Sequence, residues 1–138
     1  MLKQGLFLIL AQGALCSSLG AQEVELTAET GRDGKKREYT VLQETLESTP
    51  HWLPKEEDPP LPLPEAATIA SSRLKPESPQ DVEVVGFQLG RYLTQRGPRW
   101  YYIVSMYDRQ LAYRDEPPYI VRLVILMDGT IVEGRIVD

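Results

Sequence analysis

The sequence is short of the residues that most often carry chemistry. Its 138 residues include one histidine, His51, one cysteine, Cys16, and no asparagine. A zinc centre of imidazoles and thiolates needs several such ligands, so none is expected here. Without asparagine there is no N-glycosylation acceptor. Phosphate-cradling loops are missing as well: Gly86, Gly90 and Gly97 are too widely spaced to hold a pyrophosphate, and no Gly-x-Ser-x-Gly elbow occurs. A nucleophile that needed a His base would have to use His51, which lies in a proline-rich stretch that offers it no rigid orienting partner. Glu56, Glu57 and Asp58 are consecutive, whereas a calcium loop spaces its carboxylates alternately, so they read as a solvated charge cluster. No metal, cofactor or catalytic group is expected. The net charge of −5 argues against a general nucleic-acid binder.

Long apolar runs are also few. The first, Gly5 to Leu15, is broken by Gln12 and falls well short of the ~20 residues of a membrane span. With Lys3 before it and Ser17-Ser18-Leu19-Gly20-Ala21 after it, residues 1–21 read as a signal peptide cleaved after Gly20 or Ala21. The expectation is an exported protein, periplasmic or secreted. Cys16 falls inside that segment and follows Leu15, too large a residue for a lipidation site. The exported domain would then have no disulfide and would be stabilised by core burial alone.

Most of the apolar mass lies in Arg99 to Val137, which reads as a meander of three strands. Asp128-Gly129, between Tyr119–Met127 and Thr130–Val137, predicts a tight type I′ hairpin with both residues at positive φ. Trp100–Tyr107 precedes them, separated by a polar connection whose Pro117-Pro118 marks a strand boundary. In Tyr119–Met127 one face carries Tyr119, Val121, Leu123, Ile125 and Met127, and the other Ile120, Arg122, Val124 and Leu126. Strands apolar on both faces are central strands with something covering each side.

Upstream, Glu23 to Gln43 reads as a hairpin turning at Gly31-Arg32-Asp33-Gly34, and such a hairpin must lean on another element. Residues 44–62, rich in proline, read as an extended linker or strap. Trp52 within it is expected to pack on a sheet rather than recognise a ligand. Pro64 to about Leu74 reads as a helix with Leu63, Ala66, Ala67, Ala70 and Leu74 on one stripe and Ile69 at its margin. Val82–Leu93 reads as a strand whose apolar phase slips between Val84 and Val85, with a bulge near Gly86. The fold class is therefore α+β: one short helix on an antiparallel sheet of about four strands, plus an N-terminal β-hairpin over residues 22–43, with the main domain at 63–138.

The segments LPEAATIA (63–70), VEVVGFQL (82–89), RWYYIVSMY (99–107) and VILMDGTIVEG (124–134) resemble the PepSY-like pattern of small exported bacterial domains. That resemblance implies a helix across an antiparallel sheet and a role in binding or restraining a protease or another exported partner. The segment PHWLPKEEDPPLPLPEAATIA with WYYIVS and VILMDGTIVEG also looks like exported proteins of Verrucomicrobia-like bacteria, which implies no activity.

One composition feature points to recognition. Arg91, Arg96, Arg99, Arg109 and Arg114 accompany Tyr92, Trp100, Tyr101, Tyr107 and Tyr113, a mixture common in interaction surfaces. The same arginines would equally keep the ends of an apolar sheet soluble, pairing with the acidic strap at Glu56, Glu57 and Asp58. Two functions follow: a non-enzymatic exported module binding an unknown protein partner, or a structural protein that closes its second sheet face by homodimerisation.

Overall fold

The computed structural model describes residues 22–113 and 119–138. The segment read as a signal peptide and Arg114 lie outside them, and Tyr113 is described in its backbone alone. The elements are β1 (Glu23–Thr30), β2 (Lys36–Leu42), α1 (Gln43–Glu47), α2 (Leu63–Leu74), β3 (Val82–Thr94), β4 (Gly97–Asp108), β5 (Val121–Leu126), β6 (Ile131–Val132) and β7 (Arg135–Val137). Two short 3₁₀ turns, Pro79–Asp81 and Arg109–Tyr113, flank β3 and β4. A four-stranded antiparallel sheet has the order β3-β4-β5-β6, and a three-stranded one the order β1-β2-β7. The class is α+β, as the sequence implies.

The two sheets are opened by the same device. At Gly31–Gly34 and again at Leu126–Gly129, the glycine N–H bonds the carbonyl three residues back, and the glycine alone takes positive φ, 77° at Gly34 and 90° at Gly129. In each turn the preceding aspartate accepts the N–H two residues on: Asp33 from Lys35 and Asp128 from Thr130, both at 3.0 Å. The expected type I′ geometry at Asp128-Gly129 is therefore corrected. Asp128 stays at negative φ because its carboxylate satisfies the Thr130 N–H locally, which makes a three-residue loop with one left-handed glycine. Arg37 fixes the first turn further, and its guanidinium and the Lys35 N–H hold the Asp33 carboxyl down at about 2.

The central sheet is buried on both faces. Val104, Met106 and Ile125, fully buried, point to the side covered by α2 and the strap, where Ala66, Ala70, Trp52 and Leu61 meet them. Val124 and Leu126, equally buried, point to the other side, against Val24, Leu26, Tyr39 and Leu46. The N-terminal hairpin thus forms the second cover. It is fixed by Tyr101, whose hydroxyl donates to the Leu26 carbonyl at 2.9 Å, and by Tyr39, whose hydroxyl lies 2.8 Å from Glu29 Oε1 and 3.1 Å from the Arg122 carbonyl. Burial in this seam and the Glu29 carboxylate raise the Tyr39 phenol well above its usual range.

On the helix side the stripe is narrower than its sequence suggests. Ala66 and Ala70 carry the contact, their small side chains letting α2 lie close, while Leu63 is 44% exposed. Leu61, one residue before the start of the helix cap, takes the core position instead, and its carbonyl accepts the Tyr102 hydroxyl at 2.8 Å. The strap is pinned by Trp52, 7% exposed, which stacks edge-on against Trp100 at 5.6 Å and donates from Nε1 to the Glu57 carbonyl.

The last expected strand, Thr130–Val137, is split. Ile131–Val132 pairs with β5, and after Glu133-Gly134 the chain crosses to pair Arg135–Val137 with Glu38–Lys36 of β2. Gly134 is where the crossing passes Tyr39: a Cβ there would come within 3.0 Å of the phenol ring. The expected meander of three strands therefore ends by stitching the two sheets together. The bulge in β3 falls where the phase slip placed it, with the register to β4 shifting between Val84 and Gly86.

Candidate functional site

Because side chains alternate along a strand, the cross-strand register assigns the residues of β3 beyond the bulge, Gly86–Thr94, to one face or the other. Phe87, Leu89, Arg91 and Leu93 lie opposite Val104, Tyr102, Trp100 and Pro98, on the helix side. Gly86, Gln88, Gly90 and Tyr92 lie opposite Ser105, Ile103, Tyr101 and Arg99, on the hairpin side. On the hairpin side Gly90 is a necessity, since a Cβ would fall 2.3 Å from the Tyr101 ring that lies over it.

The predicted basic and aromatic residues consequently do not form one surface. Tyr101, 5% exposed, faces the hairpin, and burial pushes its phenol up. Arg99 is 2% exposed and is a clamp. Its Nη1 lies 3.2 Å from His51 Nδ1 and donates to the carbonyls of Arg96 and Pro98, and its Nη2 donates to the Glu47 carbonyl at the end of α1. Three backbone carbonyls, one of them at the C-terminal end of α1, and the His51 ring thus stand in for a carboxylate, and they tie the strap to the β3–β4 turn. Tyr92 packs partly buried on the hairpin side. Tyr107 donates to Glu83 at 2.7 Å, and Arg109 pairs with the same carboxylate at the far end of β3. The described ion pairs join none of these arginines to Glu56, Glu57 or Asp58.

What the fold does bring together is Arg91 and Trp100. The guanidinium sits 5.7 Å from the indole centroid, a cation–π contact at the surface. With Leu53, Pro54, Lys55 and Glu56 of the strap they line an open cavity of about 360 Å³. From it an apolar row runs along β3: Leu93 is 76% exposed, Leu89 42% and Phe87 40%, with Val85 50% exposed in the bulge beyond them. The α2 helix is too narrow to reach this row, and β3 is the outermost strand of its sheet, hydrogen-bonded to β4 alone. An edge strand of 13 residues presents unpaired backbone groups beside exposed apolar side chains.

No protein-family model, curated protein or solved structure matches this chain. The reading of the site therefore rests on its own geometry. Among the described residues no group of three or more His, Cys, Asp or Glu side chains is placed to hold a metal ion, and no helix is long and apolar enough to cross a membrane. Tyr39, Tyr101, Tyr102 and Lys75 are shifted up and Asp33 and Asp108 down, all six away from the neutral range in which general acids and bases work. The row Phe87, Leu89 and Leu93 was not singled out in the sequence, although its alternation after the bulge was there to be read.

Proposed function

We propose that this is a non-enzymatic protein-binding module, acting on an exported partner, that holds an extended segment of that partner as an added strand along β3. One observation carries the reading. β3 is a long edge strand whose outer row is apolar and exposed, while the rest of its sheet is covered on both faces by the chain itself. Backbone pairing along such an edge supplies affinity and alternate side chains supply selectivity. The second sheet face, the surface that homodimerisation would have used, is occupied by the N-terminal hairpin.

A photo-crosslinking residue at Leu93, introduced in the exporting cell, tests this. The expected result is a crosslinked adduct with another protein that is lost when Leu89→Lys is added. An adduct that persists undiminished in the Leu89→Lys protein sinks the proposal. Light scattering of the purified protein separates the second reading: a stable dimer that Leu89→Lys dissociates assigns the edge to self-assembly.

A further inference from the structure

Resting on that strand-capture reading, we infer that the segment captured carries an acidic side chain opposite Arg91, followed by apolar residues at the next two alternate positions. Elsewhere on the described surface most cations are matched: Lys36 with Glu38, Arg37 with Asp33, Arg73 with Glu133, Lys75 with Asp108, Arg109 with Glu83, Arg122 with Glu29 and Arg135 with Glu23, while the exposed Lys35 of the β1–β2 turn is in none of the described ion pairs. At the Trp100 end of β3 the described ion pairs include neither Arg91, Lys55 nor the exposed Arg96 of the β3–β4 turn. Two of these three cations line the cavity, with Glu56 as its one carboxylate. In a protein of net charge −5, the lining of this cavity has more cations than carboxylates and lies beside an aromatic ring, with Glu57 and Asp58 following Glu56 along the strap.

The register of the captured strand follows from the sheet. Every pairing in it is antiparallel, so an added strand continuing that pattern runs opposite to β3. Read from its N-terminus, it meets Arg91 first, then Leu89, then Phe87 at alternate positions. The required pattern is acidic-x-apolar-x-apolar. The acid reaches the Arg91 guanidinium and the rim of the cavity, and the two apolar side chains cover Leu89 and Phe87. The bulge at Val84–Gly86 ends the regular edge just beyond, which limits the captured stretch to the span opposite Gly86–Thr94.

Two fluorescently labelled peptides test it against the full protein by anisotropy: Thr-Glu-Thr-Val-Thr-Val-Thr with blocked ends, and its counterpart with Lys in place of Glu. The Glu peptide is expected to bind about fivefold tighter or more, the scale of one exposed charge pair, with the preference shrinking as salt is added. Arg91→Gln should abolish the preference and Arg91→Glu should reverse it. Both changes sit on an exposed side chain, so the fold is retained and circular dichroism verifies it. Equal binding of the two peptides, or a preference that survives Arg91→Glu, overturns the charge inference and leaves strand capture standing. Binding of neither peptide at millimolar concentration overturns strand capture, and the inference with it.

Discussion

The two covers of the central sheet differ in width, and the difference decides where the molecule is open. On one side a three-stranded sheet lies across the strands, closed by β7 and fixed by tyrosine hydroxyls donating to backbone carbonyls. On the other a single helix with alanines at its contact and a proline-rich strap cover the middle of the sheet and the start of β3 at Val82 and Val84, but leave Phe87, Leu89 and Leu93 of that edge strand exposed. Both covers reach dense packing: Leu46 behind the hairpin and Ala66 and Ala70 beneath the helix are fully buried. Only the narrow cover leaves an apolar row outside, at Phe87, Leu89 and Leu93. A sheet covers a sheet to its border; a helix covers a stripe.

The comparison can be broken most directly at the anchors of the two covers. Trp52→Ala removes the larger of the strap's two core side chains, Trp52 and Leu61, and should cost about 4 kcal/mol in urea unfolding, while opening the strap to protease. A cost below about 1 kcal/mol would mean that the strap is only draped on the sheet. Leu46→Ala, on the hairpin side, should cost about 3 kcal/mol through the cavity it leaves. If Leu46→Ala instead gave two separate unfolding transitions, the hairpin would be an appendage and not a layer of one core. Tyr101→Phe sharpens the picture at smaller scale. Losing the bond to Leu26 should cost about 1 kcal/mol and accelerate amide exchange in β1 more than in α2.

The smallest effect expected is in pH dependence. Lys75 links the end of α2 to Asp108 at the end of β4, with Asp81 nearby. Hydrogen bonding to Asp108 raises the ammonium and the same bond lowers the carboxyl. The carboxyl's contribution is present above the ordinary aspartate range and is lost as pH falls through its lowered value. The ammonium's is present below the ordinary lysine range and is lost as pH rises through its raised value. Stability on the helix side should therefore sag at both extremes, and Lys75→Met should flatten both shoulders in thermal melts. Unchanged shoulders would show that the pair is fully screened.

Much of the fold was legible because it rests on local signals. The Gly31–Gly34 turn, the proline-started helix and the slipped phase at Val84–Val85 each declare themselves within a few residues. The two-sided apolar pattern of Tyr119–Met127 announced that two covers must exist. What was not legible depends on distant parts of the chain. Nothing near Glu133-Gly134 indicates that the strand changes partners there; the need for Gly134 comes from Tyr39. The short helix α1, read as part of the strap, is held chiefly by burying Leu46 beneath the hairpin. The site was misgrouped for a simpler reason. Trp100 and Tyr101 are neighbours in sequence and so face opposite sides of the sheet, which no surface spanning both can accommodate.

The pairing of β7 with β2 also sets an order of events during folding. A hairpin made of β1 and β2 can close early, since its contacts are local, but its third strand lies on the far side of every other element. Closing so long a loop costs chain entropy before any contact repays it, and contacts of that separation slow folding. The third strand of the hairpin layer is therefore expected to join β2 only after the central sheet has assembled and carried β7 into place.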